Sequence, residues 1–263
     1  QMANGTYNFP KVRFDVAVAI TNTSPTGAYR GAGRPEATAL IERAMDQASI
    51  ELGIDPLEIR RRNFIQSDQF PFDTLTGWTY DTGDYVTSME KAAEIIGYDD
   101  LRDQQRQRRE EGSNRALGIG VASYVEVTSG GGGSEYASLE IHDDGTATMK
   151  AGTSAHGQGH QTSFAMIVSE HTGIPVESIT LVQSDTDIVP RGGGTGGSRS
   201  LQLGGSAVKE ATDAVIEKAK DLTAHLLEAS VDDIVVNTDH GTVGVAGVPA
   251  TALSWGELAA ASK

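Results

Sequence analysis

Three glycine-rich polar segments contain the residues of this chain best suited to chemistry. We name them loop 1 (residues 28–36, AYRGAGRPE), loop 2 (residues 157–162, GQGHQT) and loop 3 (residues 192–200, GGGTGGSRS). Glycine lets the backbone come close to a ligand, while free amides and the Arg, Gln, His, Thr and Ser side chains supply hydrogen bonds. The three loops therefore predict a site for one large polar cofactor, rich in oxygen and nitrogen.

Two other interpretations of these loops have weaker support. His156 and His160 have the spacing of a metal pair on a helix, but the residues before Gln158 are not expected to be helical. His160 alone is more typical of a capping or solvent-facing histidine than of a catalytic base. Residues 192–197 fit the Gly-x-Gly-x-x-Gly dinucleotide fingerprint, yet neither a strand end nor a suitably spaced acidic residue accompanies them, so a nucleotide-binding enzyme is a lesser alternative.

Composition narrows the class of protein and partner. The 263 residues suffice for one large or two modest domains, and 38% of them are hydrophobic, which is compatible with a packed core. The net charge of −15 disfavours a nonspecific grip on nucleic acid. No run approaches the roughly 18 apolar residues of a membrane helix, and no export signal is recognisable, so we expect a cytoplasmic protein without a membrane span.

The chain contains no cysteine. This excludes disulfides, iron–sulfur ligation and cysteine nucleophiles among these residues, and it makes a structural zinc site improbable. Any iron–sulfur centre that the chemistry requires must therefore lie in another part of the protein or in a partner.

The elements around loop 1 are predicted from periodicity. Residues 11–22 alternate apolar and polar side chains, which predicts a half-buried strand leading into loop 1. Apolar residues at helical spacing then predict a helix from Pro35 to Gly53, and Asp55 predicts the cap of a second helix. Loop 1 is thus expected to lie between a strand and a helix.

The remainder of the chain predicts alternating strands and helices. A polar helix over residues 88–111 should break near Gly97, and the glycine run 130–133 is more typical of a flexible loop than of a site. Loop 2 should open a helix that ends at Gly173. The other predicted elements are strands at 117–127, 136–142, 146–151 and 179–184, and helices at 206–227 and from Ser254 onward.

Four stretches in order resemble the molybdenum hydroxylases, that is, the molybdopterin-binding large subunits of carbon monoxide dehydrogenase, xanthine dehydrogenase and aldehyde oxidase. The stretches are residues 21–36, 52–65, 157–162 and 194–200. The resemblance implies an α+β fold of mixed sheets with packed helices, forming a portion of the molybdopterin-binding domains of a larger subunit. It implies the end of a first such domain at 1–70, a connector with a polar helix at 71–114 and the start of a second domain at 115–263.

The resemblance also assigns roles to individual loop residues. Arg30 matches the family's arginine beside the metal centre, and Gln158 matches a residue with which the family binds the cofactor. Tyr29 and Ala32 are expected in the substrate pocket. The full set of expected cofactor-binding residues is Arg30, Gly31, Gln158, Gly159, His160, Thr162, Gly197, Ser198, Arg199 and Ser200.

The chain departs from family patterns in three places. Gly31 stands where the copper-containing carbon monoxide dehydrogenases have a cysteine, which argues against molybdenum–copper chemistry. Ala32 stands where purine-oxidising relatives place an aromatic ring. The family's glutamate base has no counterpart before Lys263 and is expected beyond it, because Glu126 and Glu135 lie in other contexts and are interpreted as surface or strand-edge residues. No catalytic residue and no direct metal ligand is therefore expected in this chain.

The implied function is that of a section of a molybdenum hydroxylase large subunit. It would bind molybdopterin with molybdenum, as such or as the cytosine dinucleotide, and support hydroxylation of a small molecule with oxygen from water. The implied partners are an iron–sulfur subunit, an FAD subunit and the remainder of its own large subunit. The alternative is a noncatalytic binding or assembly module that retains the fold.

Overall fold

The computed structural model describes residues 2–25, 27–128 and 132–263. The chain forms two compact units, Gln1–Glu126 and Val127–Lys263, which are described separately below. Gly130 and Gly131 of the predicted flexible glycine run lie outside the described residues. No helix of the described part is long and apolar enough to cross a membrane.

The first long helix of the first unit has the predicted bounds to within one residue, and the second begins after its predicted cap. Helix α1 spans Arg34–Leu52 and ends at Gly53, whose φ of 63° is left-handed and therefore favours glycine. Helix α2 spans Pro56–Asn63. Its cap is Asp55, whose Oδ1 accepts from the amide of Leu57 at 2.8 Å.

Residues 72–110 of the first unit form two short helices and a small hairpin. Strands β1 (Phe72–Asp73) and β2 (Thr79–Tyr80) pair antiparallel. Helices α3 (Tyr85–Ile96) and α4 (Tyr98–Glu110) are separated at Gly97, which confirms the predicted break in the polar helix.

A buried ionic network joins α1 to α2. Arg60 is 0% exposed, and its Nε lies 3.0 Å from Oε2 of Glu42. Its Nη2 donates to Asp46 at 2.8 Å and to the carbonyl of Val121 at 2.9 Å. The Tyr7 hydroxyl donates to Glu42 Oε1 at 2.5 Å, and burial together with this bond raises the pKa of Tyr7 above its ordinary range. The network also fixes the extended segment that contains Val121.

Two predicted strands are not strands in the structure. Residues 11–22 and 117–127 carry no helix or strand assignment. In the first segment Phe14, Val16 and Val18 are exposed, and Ile20 is 100% exposed. The alternation predicted which face is apolar, but a strand also needs a paired neighbour, and neither segment has one among the described residues.

The second unit contains a three-stranded mixed sheet covered by two helices. Strands β3 (Ala137–Ile141) and β4 (Ala147–Ala151) form the predicted hairpin, and β5 (Ile179–Val182) runs parallel to β4. Helices α5 (His160–Thr172) and α6 (Ser206–Leu226) pack against this sheet and bury Phe164, Val168 and Val208. Loop 2 lies between β4 and α5, and loop 3 lies between β5 and α6.

A second sheet completes the unit. Strands β6 (Ile234–Asn237), β7 (Thr242–Val245) and β8 (Leu253–Ser254) pair antiparallel in that order, and helix α7 (Trp255–Ala261) follows. The capping box of Ser254 and Glu257 is present at the start of α7, as the sequence indicated. Trp255 Nε1 donates to the Thr172 carbonyl at 2.7 Å and joins α7 to the end of α5.

The helices and small mixed or antiparallel sheets confirm the predicted α+β class. The division of the chain at residues 70 and 114 stays a prediction.

Candidate cofactor site

Loop 1 has a backbone that only small residues tolerate. Gly31, Ala32 and Gly33 have φ values of 104°, 45° and 84°, all in the left-handed region. The amide of Ala32 donates to the Tyr29 carbonyl at 2.6 Å and closes the turn. A Cβ at Gly31 would lie 2.7 Å from Cδ of Pro35, so position 31 accepts no side chain in this conformation. The backbone conformation at position 31 therefore fits glycine and would not fit a cysteine.

Two side chains of loop 1, Tyr29 and Arg30, extend into solvent within the first unit. Tyr29 is 86% exposed, and Arg30 is exposed too. A surface ion pair would be the plainest role for Arg30, but none of the described residues pairs with it. The loop therefore presents a guanidinium that is free to bind an anionic or oxygen-rich group.

Glu126 anchors the end of loop 1. Arg34, the first residue of α1, has its Nε 3.0 Å from Oε1 of Glu126, and both side chains are largely buried. The other carboxylate oxygen accepts from the Tyr124 hydroxyl. The interpretation of Glu126 as a surface or strand-edge residue did not include this contact, in which its carboxylate forms an ion pair with the residue that begins α1.

Loop 2 presents free amides at the start of α5. Gly157 and Gly159 have φ values of 91° and 79°, and no side chain caps the helix at Gly159. The first backbone bond of the helix is that from Ser163 to the Gly159 carbonyl, so the amides of residues 160–162 are not used within the helix. Gln158 Oε1 accepts from the His156 amide, which leaves its amide nitrogen available as a donor. The loop therefore provides several donors suited to an anion.

His160 is neither solvent-facing nor a helix cap, in contrast to what its sequence context favoured. It is 5% exposed, and its ring stacks on Phe164 with centroids 5.1 Å apart. Its Nδ1 lies 3.3 Å from the side-chain amide of Gln183. The described residues contain no group of three or more His, Cys, Asp or Glu side chains that could hold a metal ion, so the metal pair of His156 and His160 gains no support.

The structure bonds loop 3 to residues 152–154, the segment that leads from β4 into loop 2. The amide of Gly194 donates to the carbonyl of Gly152 at 3.1 Å, and that of Ser154 donates to Thr195 Oγ1 at 3.4 Å. A Cβ at Gly192 would lie 2.6 Å from Cα of Gly152. These bonds are possible because parallel β4 and β5 end at the same edge of the sheet, the usual place for ligand sites in such sheets.

Two charged side chains, those of Glu135 and Arg199, bind the backbone of loop 3 at Gly193. The carboxylate of Glu135 accepts from the Gly193 amide at 3.2 Å, and Arg199 Nη2 donates to the Gly193 carbonyl at 3.1 Å. Arg199 Nε is buried without a hydrogen-bond partner among the described residues. Thr195 Oγ1 and Ser200 Oγ lie 3.0 Å apart. The interpretation of Glu135 as a surface or strand-edge residue did not include this contact with a backbone amide of the loop.

The exit from loop 3 packs tightly on the exit from β4. Residues Ser200–Gly205 form a π-helical turn that leads into α6. A Cβ at Gly204 would lie 2.8 Å from Thr153 Cγ2 and 3.2 Å from Cζ of Phe164. Glycine at this position therefore allows the start of α6 to approach α5.

Sequence reasoning missed two glutamines that organise loop 2. Gln161 Nε2 donates to the Ile179 carbonyl at 2.7 Å, and its Oε1 accepts from the Leu181 amide at 2.8 Å, so the first turn of α5 is bonded to the edge of β5. Gln183 contacts His160 and Thr153. Neither contact has a local signal in the sequence, because each glutamine bonds groups that are distant along the chain.

Two family models match the chain, and both describe a molybdopterin cofactor-binding domain. They cover residues 1–64 and residues 91–263. Loop 1 lies in the first match, and loops 2 and 3 lie in the second.

Curated relatives and solved structures agree with these models. The chain is 37% identical over 246 residues to the carbon monoxide dehydrogenase large chain of Hydrogenophaga pseudoflava, covering 89% of this chain and 31% of the relative. It is 34% identical over 277 residues to that of Afipia carboxidovorans, covering 99% and 34%. Quinoline 2-oxidoreductase from Pseudomonas putida 86 superposes with a TM-score of 0.82 at 31% identity, covering 99% of this chain and 34% of that one. The chain thus spans about a third of the length of the relatives it matches.

Proposed function

Given that this chain belongs to the molybdopterin cofactor-binding domain family of the molybdenum hydroxylase large subunits, we propose that loops 1, 2 and 3 are its cofactor-binding elements. The observation that carries the proposal is the junction of loop 3 with residues 152–154, the segment leading into loop 2, at one edge of the β3–β5 sheet. There, free amides and polar side chains from two separate stretches of sequence are held in a fixed arrangement by backbone bonds.

Loop 2 suits the anionic part of the cofactor. The unused amides at residues 160–162 lie at the positive end of α5, where an anionic group is favoured. Gln158, Gly159, His160 and Thr162 are the proposed contacts. The amide of Gln158 both donates and accepts, as a group rich in oxygen and nitrogen requires.

Loop 3 suits the polar body of the cofactor. Arg199 is partly committed to Gly193, but its buried Nε has no partner among the described residues and is a remaining donor. Gly197 and Ser198 have left-handed backbones that expose their amides on a tight turn. We propose that Gly197, Ser198, Arg199 and Ser200 bind pterin nitrogen and oxygen atoms.

Loop 1 is proposed to face the metal centre and the substrate. The guanidinium of Arg30, which pairs with none of the described residues, can donate to an oxygen atom on either, and Gly31 keeps the backbone close. Tyr29 and Ala32 are the proposed wall of the substrate pocket. The methyl group of Ala32 leaves room for a small organic substrate but offers no ring for stacking on a purine.

We propose that the native polypeptide is a molybdenum-dependent oxidoreductase that hydroxylates a small molecule with water as the oxygen source. When bound, the cofactor supplies oxygen transfer and accepts the two electrons removed from the substrate. Residues 1–263 would bind and orient the cofactor, while the general base is expected outside them. The electrons would pass to iron–sulfur and FAD partners, and the cofactor would be molybdopterin or its cytosine dinucleotide.

The proposal is tested by removing one donor from loop 1 and one from loop 2. In the native polypeptide, Arg30→Ala and Gln158→Ala should lower molybdenum and pterin content or turnover, measured by elemental analysis and by fluorescence of the oxidised pterin. Arg43→Ala and Gln104→Ala remove the same side-chain types from exposed helical positions and serve as matched controls.

Normal cofactor content and turnover in both loop variants would reject the assignment of the loops. Absence of molybdenum from the native polypeptide, in cells whose other molybdenum enzymes are loaded, would instead support a noncatalytic module that retains the fold.

A further inference from the structure

Gln183 contacts both ends of the segment that contains loop 2. It lies one residue beyond β5, and its side-chain amide reaches Thr153, Ala155 and His160. We infer that Gln183 is a positioning residue that fixes loop 2 and holds the His160 ring in its Nε2–H tautomer. The consequence for the cofactor rests on the proposed function of loop 2, whereas the tautomer does not.

The surroundings of Gln183 determine which amide atom lies on which side. One terminal atom lies 3.2 Å from the Thr153 carbonyl oxygen, which can only accept, so this atom must be the nitrogen. The other terminal atom lies 3.2 Å from the Ala155 amide, which can only donate, so it must be the oxygen. The opposite orientation would place two acceptors together and two donors together.

This orientation fixes the proton on His160. The Gln183 nitrogen lies 3.3 Å from His160 Nδ1 and 3.2 Å from Thr153 Oγ1. Because that nitrogen is a donor, Nδ1 must present its lone pair, and the ring proton of the neutral imidazole is on Nε2. Nε2 has no hydrogen-bond partner among the described residues, so its proton can be donated to the cofactor.

The neighbours of Gln183 make the contact rigid. Thr153 is 1% exposed, and the His160 ring is held by its stack on Phe164. Ser184, the next residue, has a left-handed φ of 63°, and its hydroxyl lies 2.7 Å from that of Ser154. Two consecutive residues after β5 therefore bind the segment that leads from β4 into loop 2.

The tautomer can be read directly by nitrogen NMR. The native polypeptide would be labelled with ring-¹⁵N histidine and studied in the solid state, with the His160 signals assigned by their loss in His160→Gln. The wild type should show a protonated Nε2 and an unprotonated Nδ1. In Gln183→Glu, a carboxylate would replace the donor, so the proton should move to Nδ1.

Cofactor retention tests the positioning role. Gln183→Met keeps the side-chain length but removes both hydrogen-bonding atoms, and it should speed loss of molybdenum during dialysis about tenfold, the effect of one lost hydrogen bond of ordinary strength. Gln183→Asn should restore part of the retention only if the amide itself matters. Gln104→Met and Gln104→Glu are the matched controls, and neither should alter retention or the His160 signals.

A protonated Nδ1 in the wild type would overturn the tautomer assignment without use of any Gln183 variant. Unchanged His160 signals in a folded Gln183→Glu protein would overturn it as well. Wild-type retention in Gln183→Met, while Gln158→Ala loses cofactor, would overturn the positioning role alone. Full retention in Gln158→Ala would reject the proposed function and leave the NMR result to decide the tautomer.

Discussion

The amide of Gly194 donates to the carbonyl of Gly152 at 3.1 Å, so loop 3 is bonded through its backbone to the segment that leads into loop 2. The contact depends on the absence of side chains, since a Cβ at Gly192 would lie 2.6 Å from Cα of Gly152. This backbone bond therefore helps to fix where the side-chain donors of loops 2 and 3 lie. Backbone atoms at the contact have little freedom to adjust. The junction should therefore be sensitive to one added methyl group.

We predict that Gly152→Ala separates loops 2 and 3. The new Cβ would lie 2.7 Å from the Arg191 carbonyl oxygen, so loop 3 must shift, and we expect a loss of about 1–3 kcal/mol in the free energy of unfolding of this unit. Gly196→Ala is the control for stability, because its Cβ would meet no atom within 4 Å. Denaturant unfolding followed by amide exchange in residues 137–182 measures both, and equal stability of the two variants would contradict the prediction.

Glu135 should protect a single amide of loop 3. Glu135→Gln weakens the charge-assisted bond from the Gly193 amide, so that amide should exchange with solvent roughly tenfold faster. Glu140→Gln makes the same change at an exposed position of β3. Hydrogen exchange of peptides covering residues 192–200 should separate the two variants, and identical exchange would show that the carboxylate does not fix the loop.

The buried network of the first unit predicts unequal costs for its two carboxylates. Glu42→Gln leaves the fully buried Arg60 without its buried counter-charge and should cost about 3–5 kcal/mol. Asp46 is 46% exposed, so Asp46→Asn should cost about 1 kcal/mol or less. Denaturant unfolding followed by exchange in residues 34–63 measures both. Similar costs would mean that Asp46 supplies as much of the counter-charge as Glu42.

Alkaline pH should weaken the first unit through Tyr80. Burial raises the pKa of Tyr80 to about 12, from an ordinary value of 10.0. Below pH 10 the hydroxyl is protonated in both the folded and the unfolded state, so its titration does not change the free energy of unfolding. Between pH 10 and about 12 only the unfolded state releases the proton, so the free energy of unfolding falls as pH rises.

Tyr80→Phe isolates this contribution. The variant should reduce the slope of unfolding free energy against pH in that window by about 1.4 kcal/mol per pH unit, the value for one proton. It also removes the 3.1 Å bond that the Tyr80 hydroxyl donates to the Gly5 carbonyl, which lowers stability by a constant amount while that hydroxyl is protonated and leaves the slope between pH 10 and about 12 to the titration. Equal slopes for wild type and variant would show that Tyr80 titrates normally in the folded protein.

Local sequence signals predicted most helix boundaries. Gly53, Asp55 and Gly97 act where the sequence placed them, because left-handed glycines and carboxylate caps depend only on nearby residues. The hairpin through residues 144 and 145 follows for the same reason. The predictions of strands at 11–22 and 117–127 were wrong because strand pairing depends on a distant partner, which an alternating pattern cannot identify.

The sequence predicted the glycine-rich loops of the candidate site, but it did not predict the residues that hold those loops in place. Loops 2 and 3 were recognisable in the sequence because of their glycine-rich composition. Nothing in the sequence showed that Gly152 and Gly194 would be bonded. The contacts of Glu135 and Gln183 were not predicted, because a side chain that bonds a group distant along the chain has no local sequence pattern. Their roles follow from the parallel pairing of β4 with β5, which only the fold reveals.

The π-helical turn at Ser200–Gly205 has a consequence for insertions and deletions. A π turn accommodates one more residue than an α turn, so it absorbs a change of one residue in chain length while the helix beyond it keeps its packed face. Homologous chains could therefore differ by one residue at this point, lengthening or shortening loop 3 while Val208 and Thr212 stay in the core. The turn thus separates changes of length in loop 3, a proposed cofactor-binding loop, from the packing of the helix that follows it.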